Sequence, residues 1–508
     1  MSPGNDEFSL LDVLDESRRS RHSQLALVDG AVRLTYGELG DRVDRLAAGL
    51  RGAGVEPGDR IAWVGLNSFR VLELTLAATR LGASVCPVNW RSSAEELAFV
   101  LADLDPAIAV HDDELPIDEA VQAAVPGERW CARARYEALA SSPRHDDSGS
   151  PIDLAASVVI LYTAAHDGRP NGAMLTSRGL YLAGVLHGIV NGVFDEQPVF
   201  VASGPLYHVA TLMGVVSTFV AGGTVVFLPK VDAADVCRAI ETERATWTYM
   251  TGPTIGEVAE HAAANGSDLT TLYVPDAYVK ADARWEQLGR RSSAPWSRFP
   301  GGFGQTEATG VLSYVAFAVG AAGMAGRPSP FCQVRIVDDA DAEVATGEVG
   351  EIVARGPIVG NGYWNRADLT ASRWRGGWWH TNDLGRREAD GSLSFVGPKT
   401  RMIKSAKENI YPAEVERCLA SHPGIADAAV IGVPDEVWEQ SVKALVVLAP
   451  GAALTADDVI AHCKERIASY KKPRMVEFVE SIPRNGFVID RDDLDRRFGG
   501  GGYVGTGR

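Results

Sequence analysis

From Tyr36 onward the chain alternates helix-length amphipathic stretches with short apolar runs, and no other feature restricts its fold as strongly. Tyr36–Gly54 reads as an amphipathic helix, Arg60–Gly65 as a buried strand and Asn67–Leu81 as a helix; a strand at Ala83–Val88 and a helix from Ala94 follow. Strands separated by helices pair in parallel, with the helices covering the sheet. A second such round runs from Leu180 to about Pro295. Val334–Phe395 changes character, with short β runs punctuated by Gly-rich turns such as GEVGEI and EADGSLSF. From about Arg401, helices at Ala413–Ser421 and Ala456–Ser469 alternate with strands at Asp427–Gly432 and Lys443–Leu448. Val110–Ile152, acidic and rich in Ala, Ser and Pro, reads as an exposed linker. A chain of 508 residues exceeds what one core normally holds. The expected class is therefore α/β. Its parts are a large N-terminal domain (residues 1–400) of two α/β subdomains plus a β-rich one, a small mobile α+β C-terminal domain (401–499), and a flexible Gly-rich tail (500–508).

The net charge of −17 argues against nucleic acid or an anionic membrane as partner. Met213–Leu228, the most apolar stretch, is broken by Gly222–Gly223 and reads as a helix then a buried strand rather than a membrane span. The six cysteines are scattered without a CxxC pair, which indicates neither a zinc site nor a disulfide framework. The N-terminus MSPGNDEFSLLD lacks the basic and apolar regions of a signal peptide, so a cytoplasmic location is expected.

Leu161–Thr176, LYTAAHDGRPNGAMLT, has the frame of a phosphate-binding loop, with spaced Gly168, Pro170 and Gly172 after a strand-like run. Such loops work through glycines and hydroxyls whose backbone N–H groups form an anion nest. Here Ala164–Ala165–His166–Asp167 occupies the hydroxyl positions, and Asn171 fills a slot suited to lysine. Asp167 sets a carboxylate where phosphates would sit, a repulsion of roughly 3 kcal/mol per phosphate charge at about 5 Å and an effective dielectric near 20. The loop reads as unfit for a triphosphate.

Five further strings occur in order: GGFGQTEATG (Gly301–Gly310), GRPSPFCQVRIVD (Gly326–Asp338), GEVGEIVARGPIVGNGYW (Gly347–Trp364), WWHTNDLG (Trp378–Gly385) and MIKSAKENIYPAEVE (Met402–Glu416). With LTYGEL at Leu34 and IPRNG around Pro483, they resemble the adenylate-forming superfamily of acyl- and aryl-CoA synthetases, peptide-synthetase adenylation domains and luciferases. The resemblance covers nearly the whole chain. It implies two steps: acid and ATP give acyl-AMP and pyrophosphate, then the CoA thiol attacks acyl-AMP after the C-terminal domain rotates about a hinge. For a chain this acidic, the polyanion CoA needs a local basic site.

The resemblance assigns the acyl-AMP site to Phe303 (against adenine), Gly304, Gln305, Thr306, Glu307 and Asp383. Thr306 and Glu307 would meet phosphate oxygens, with Glu307 holding Mg²⁺ if Mg²⁺ is used, and Asp383 would accept the ribose hydroxyls. His208 in PLYHVA matches a position near the bound carboxylate, or else is a satisfied core histidine. Tyr207, Gly252, Tyr278 and Lys280 are expected in the acyl pocket. There Pro275–Lys280 (PDAYVK) departs from the family's small Gly-Ala-Pro turn. In the thioester-forming loop, matched by Lys404–Asn409, the resemblance implies Ser405, Ala406 and Lys407 as CoA-binding residues, with Ala406 lining the pantetheine channel. Ala406 replaces a glycine, and Lys407 is either a phosphate contact or a solvated surface lysine. Tyr470, Lys472 and Arg474 match a segment near the CoA nucleotide, or form a charged helix end. The hinge position, commonly Asp, is Arg401, and Pro398 replaces a basic residue; both changes bear on domain orientation.

The adenylation lysine of the family falls at Phe487, and no lysine follows Lys472. A fixed positive charge there is worth about 10²–10³ in rate. Asp167, Asn171 and Phe487 thus mark lost adenylation functions, with ATP and Mg²⁺ in doubt, while the acyl-adenylate half-site is retained. The expectation is an acyl-CoA ligase that takes preformed acyl-AMP and coenzyme A from an upstream adenylating enzyme. This resembles non-adenylating ligases of antibiotic biosynthesis. Two alternatives stand beside it: a complete ATP-dependent synthetase with substitute residues, and a non-catalytic acyl-adenylate binder.

Overall fold

The computed structural model describes residues 8–92, 94–144, 153–163, 170–194, 197–250, 252–291, 301–399, 403–405, 408–467, 469, 471–485 and 488–500. The chain divides into two compact units. One comprises Met1–Ala321, Ala325–Val334 and Ala354–Trp379; the other comprises Ala322–Met324, Arg335–Val353 and His380–Arg508.

The first unit is built on two mainly parallel sheets, as the alternation requires. One runs Trp130–Ala132, Ile108–His111, Arg60–Val64, Ser84–Pro87, Ser157–Thr163, Asn171–Thr176, and only its last strand is antiparallel. Its strands are apolar on both faces (Ile61, Ala62, Val64, Val85, Cys86, Ala109 and Ile160 are buried), the pattern of a sheet covered on both sides. The covering helices start where the sequence offers caps. Thr35 forms a capping box with Glu38 ahead of Tyr36–Gly52, and Ser68 caps Phe69–Leu81, which ends on Gly82 at φ 70°. Glu73, fully buried on that helix, is held by the Arg42 guanidinium (Nε to Oε1, 2.6 Å) and the Tyr136 hydroxyl (2.6 Å).

The second sheet runs Trp247–Thr248, Val199–Ala202, Thr224–Phe227, Leu25–Asp29, Val32–Thr35, so the start of the chain supplies two of its strands. Met213–Leu228 splits into the end of helix Val209–Val220 and strand Thr224–Phe227, with Gly222 at φ 72° between them. A short antiparallel sheet joins Gly302–Gln305, Gly310–Tyr314 and Arg327–Pro328.

Val110–Arg144, the described part of Val110–Ile152, corrects the expectation of an exposed linker, while residues 145–152 lie outside the described residues. Helix Glu119–Ala123, strand Trp130–Ala132 and helix Arg133–Leu139 lie within it, burying Val121, Val125, Cys131 and Tyr136. Single apolar residues spaced among Ala and Glu are enough to anchor such short elements to a sheet edge.

In the second unit the long antiparallel pair Ile425–Asp435 and Glu439–Leu448 forms the core sheet, joined by Ile403–Ser405, Glu408–Ile410 and Met475–Phe478. Helices Pro412–Ala420 and Ala456–Arg466 bury Val415, Leu419, Val459 and Cys463 in one cluster with the strands. Helix Arg491–Phe498 packs Leu494 with Ala429, Ile431 and Leu445 in another. Arg491 bridges both oxygens of Glu416 at 2.8 Å and donates to the Val430 carbonyl at 2.8 Å. Among the described residues no helix is long and apolar enough to cross a membrane.

Candidate active site

The phosphate-loop frame is an antiparallel hairpin, Ser157–Thr163 with Asn171–Thr176, in which Thr163 pairs with Asn171. The GNGYW string lies along its outer strand. Met174 N–H donates to the Gly362 carbonyl (2.9 Å), Asn361 N–H to the Met174 carbonyl (2.9 Å) and Trp364 N–H to the Gly172 carbonyl (2.8 Å). A Cβ on Gly360 would run into the Met174 carbonyl oxygen, so this close approach demands glycine. Asn171 is buried, and its Oδ1 accepts from the Arg366 guanidinium at 2.7 Å. The lysine slot is therefore closed by a neutral amide bound to a guanidinium.

The same segment fixes Glu307. Gly360 N–H donates to its carbonyl (2.7 Å) and the Tyr363 hydroxyl donates to its Oε1 (2.6 Å), leaving the carboxylate buried. Glu307 sits in the turn Thr306–Ala308, whose exit residue Thr309 has φ 53°. That left-handed conformation is costly for a β-branched residue. Thr309 is held in it by its hydroxyl, which donates to the Ile358 carbonyl at 2.7 Å. Phe303 is buried, Gln305 and Thr306 are half-buried and Gly304 is exposed. A Cβ on Gly304 would collide with the Gly310 carbonyl oxygen across the hairpin. Among the described residues no cluster of three or more His, Cys, Asp or Glu could hold a metal. Glu307 still fits Mg²⁺, which is normally held by one or two carboxylates plus substrate phosphates.

A cavity of about 220 Å³ lies in this unit, walled largely by Trp247, Tyr249, Met250, Ile255, Tyr273 and Tyr278, with Gly301 on its rim. Tyr278 is buried, accepting from Met250 N–H (2.8 Å) and donating to the Thr248 carbonyl (3.0 Å). PDAYVK, the departure from the family turn, forms helix Asp276–Ala281, and Pro275, Ala277 and Tyr278 line the cavity. Lys280 is exposed on that helix, Tyr207 is half-buried, and Gly252 begins helix Gly252–Asn265. His208 caps helix Val209–Val220, its Nδ1 accepting from Ala210 N–H at 3.3 Å. His208 is exposed, yet desolvation by the surrounding atoms lowers its pKa from the ordinary value, which favours the neutral imidazole at pH 7.

In the second unit, Asp383 lies in strand Trp378–Arg387 directly after Asn382, whose φ of 59° is left-handed, a conformation Asn tolerates. This stretch is fixed by Asn382 N–H to Glu351 Oε1 (3.0 Å), Thr381 Oγ1 to the Ile352 carbonyl (2.8 Å) and Asp383 N–H to Thr381 Oγ1 (3.1 Å). Burial works against charge on Glu351, but Lys399 at 3.1 Å, the Asn382 N–H and His380 outweigh it and hold its pKa below the ordinary value. Ser405 is buried in strand Ile403–Ser405. Lys472 Nζ donates to the Ser469 carbonyl at 3.0 Å, while the exposed Arg474 guanidinium lies 4.2 Å from the centre of the Trp438 ring. Asp167, Arg401, Ala406, Lys407, Tyr470 and Phe487 lie outside the described residues.

Sequence reasoning missed Tyr363, Arg366, Thr309 and Trp438. The first two stand in or beside a string that was recognised without a role. Trp438 carries no local signal.

A family model described as AMP-binding enzyme matches residues 14–364, and one described as AMP-binding enzyme C-terminal domain matches residues 414–486. The chain belongs to the AMP-binding enzyme family, in its acyl-CoA ligase branch. It is 38% identical over 493 residues to a feruloyl-CoA synthase of an Amycolatopsis species, covering 95% of this chain and 97% of that protein. An indoleacetate–CoA ligase of Aromatoleum aromaticum is 33% identical over 500 residues, covering 93% and 96%. Among solved structures, ATP-bound MatB from Rhodopseudomonas palustris matches with a TM-score of 0.78 at 25% identity, covering 96% of this chain and 98% of that one. The α/β class with a large N-terminal and a small C-terminal domain is thereby shown.

Proposed function

We propose that this acyl-CoA ligase forms the thioester from a preformed acyl-AMP and CoA, with its ATP-dependent adenylation half-reaction impaired. The observation that carries the reading is the closed lysine slot, where Asn171 is buried and bound to Arg366 at 2.7 Å. Asp167 and Phe487 in the sequence point the same way. In the reaction the CoA sulfur attacks the acyl carbonyl carbon, the carbonyl–phosphate C–O bond breaks, AMP leaves and the thiol proton passes to solvent. The needs are positioning and a stabilised carbonyl oxygen, since AMP is already a good leaving group. Phe303 and Thr306 would hold the adenylate, and neutral His208 would lie at the carbonyl. Trp438, with Arg474 across its face, offers an aromatic platform for the CoA adenine and a cation for its phosphates. Glu307 is the residue that would hold Mg²⁺ beside nucleotide phosphates, where the ion would neutralise their charge.

The acid is proposed to be aromatic. The cavity of about 220 Å³ has mostly aromatic walls, which suit a ring. The feruloyl and indoleacetate names of two relatives agree. An upstream adenylating enzyme would supply the acyl-AMP.

A complete ATP-dependent synthetase is the second reading, favoured by the Arg366 guanidinium, which restores a cation beside the Asn171 slot. Matched assays separate them. One reaction holds aromatic acids, ATP, Mg²⁺ and CoA; the other holds synthetic acyl-AMP and CoA. Acyl-CoA only in the second is the expected result. Equal product in both overturns the impaired-adenylation reading.

A further inference from the structure

Only Ser203–His208 connect strand Val199–Ala202 to helix Val209–Val220, and the connector ends on Tyr207 and His208. The His208 N–H donates to the Pro205 carbonyl at 3.1 Å, which closes a turn at its far end. Its near end is held by a residue remote in sequence. Asn67, 7% exposed, donates from Nδ2 to the carbonyls of Gly204 (2.7 Å) and Leu228 (3.2 Å), and its Oδ1 accepts from the Leu206 N–H (3.0 Å). The backbone N–H of Asn67 donates to the Pro229 carbonyl at 3.1 Å. Asn67 lies between strand Arg60–Val64 and helix Phe69–Leu81, while Leu228 and Pro229 follow strand Thr224–Phe227. One amide therefore joins the connectors that leave the carboxyl ends of three strands in the two mainly parallel sheets, the edge on which such sheets build their sites.

The chemistry of the position admits little else. Two carbonyls on one side and an N–H on the other demand two donors and an acceptor on one short side chain, which asparagine supplies in a single orientation. An aspartate would turn a second oxygen toward the Gly204 and Leu228 carbonyls. A serine has one donor for two carbonyls, and a glutamine is longer by one methylene. All of these bonds go to backbone, so any influence on His208 passes through the connector. We infer that Asn67 is a positioning residue for thioester formation: it fixes the Gly204–Leu206 backbone and thereby the place from which His208 meets the acyl carbonyl. This rests on the proposed placing of His208 at that carbonyl.

The test is a double-mutant cycle on the full chain, following thioester formation from CoA and the synthetic aromatic acyl-AMP that the protein converts fastest. Asn67→Ser and Asn67→Asp should each lower kcat about tenfold or more with the KM for CoA within about twofold, because small displacements of a reacting group carry large rate penalties. In a His208→Ala background the same substitutions should change kcat less than about twofold, since the group they position is gone. Gly204→Ala, whose Cβ would meet the Thr211 hydroxyl, displaces the connector with Asn67 intact and should show the same coupling, so the test survives if the Asn67 variants do not fold. Thermal unfolding should shift equally with and without His208, which separates the coupling from lost stability. Unchanged kcat in the folded variants, or losses that multiply in the double variants, overturn the inference. If His208→Ala lowers kcat while the Asn67 effect is undiminished beside it, the inference fails alone. If His208→Ala leaves kcat unchanged, or no acyl-AMP is converted, the placing of His208 falls with it.

Discussion

Replacing Tyr278 with Phe tests whether the wall of the cavity is held by the hydroxyl that spans it. The tyrosine is 6% exposed, and its oxygen bridges Met250 N–H (2.8 Å) and the Thr248 carbonyl (3.0 Å). The phenyl ring would remain packed on Trp285, at 5.4 Å between centroids, so little apolar burial is lost. What is lost is the partner of two buried backbone groups, each worth about 1–3 kcal/mol when left unsatisfied. The expected destabilisation is about 2–4 kcal/mol, or about 4–8 °C at roughly 2 °C per kcal/mol for a large cooperative unit. Urea unfolding should show a lower midpoint at unchanged slope. The KM for the acyl substrate should rise, because the freed end of strand Trp247–Thr248 forms one wall of the pocket. A loss under about 0.5 kcal/mol, within the scatter of neutral surface changes, would refute the bridge as the element that holds this wall.

Four other outcomes are expected. Asn171→Lys would set an ammonium against the Arg366 guanidinium, a repulsion of about 4 kcal/mol at 4 Å and an effective dielectric of 20; the variant should melt lower and release no added pyrophosphate from ATP, and a gain would show that lysine was all the loop lacked. Trp438→Ala should raise the KM for CoA about tenfold through lost base stacking, with the KM for acyl-AMP unmoved in steady-state assays. Because the pKa of Glu351 is held below its ordinary value of about 4.3, the stability it contributes is full above that pH and is lost as pH falls through the folded value; acid unfolding of Glu351→Gln should show a flatter dependence over that window. Arg491→Met should cost about 3–5 kcal/mol by leaving the Glu416 carboxylate unpaired, and adding Glu416→Gln should recover part of it in urea melts.

The fold was legible wherever a single element carried its own pattern. Phe69–Leu81, Thr224–Phe227 and the long strands of the second unit fall within a few residues of their expected places. Two regions were not legible, for one shared reason. Glu119–Leu139 and Arg491–Phe498 are short and mostly polar, and each is fixed by contacts remote in sequence. Leu494 alone is fully buried in RDDLDRRF, and the rest of the anchorage is the pair between Arg491 and Glu416, 75 residues apart. At the site, Phe303, Thr306, Glu307 and Asp383 were assigned from contiguous strings that resemble the family's motifs. The groups that set their chemistry were not. Tyr363 reaches Glu307 across 56 residues and Arg366 reaches Asn171 across 195, distances over which one sequence gives no signal.

Two of the six left-handed non-glycine residues among the described ones, Thr309 and Asn382, stand beside residues that the family resemblance gives to the adenylate. Thr309 keeps a left-handed conformation that costs about 1–3 kcal/mol, in a turn whose product is a buried, oriented Glu307 beside Thr306. Asn382 keeps another, within the strand that carries Asp383. Both lie in strings that the family resemblance gives to the adenylate. Asn171 shows no such cost: it sits in regular strand geometry, paired with Thr163 and satisfied by Arg366. A chain with no use for the adenylate could shed its strain by substituting glycine at Thr309. A chain that still bound triphosphate would gain from a cation free to leave its slot. Strain at Thr309 is equally expected of an enzyme that makes its own acyl-adenylate, so of the two residues only the neutral Asn171 bears on the proposed loss of adenylation. Thr309→Gly therefore separates the two contributions. It should relieve backbone strain while removing the Ile358 hydrogen bond, so that thioester formation falls more than stability does.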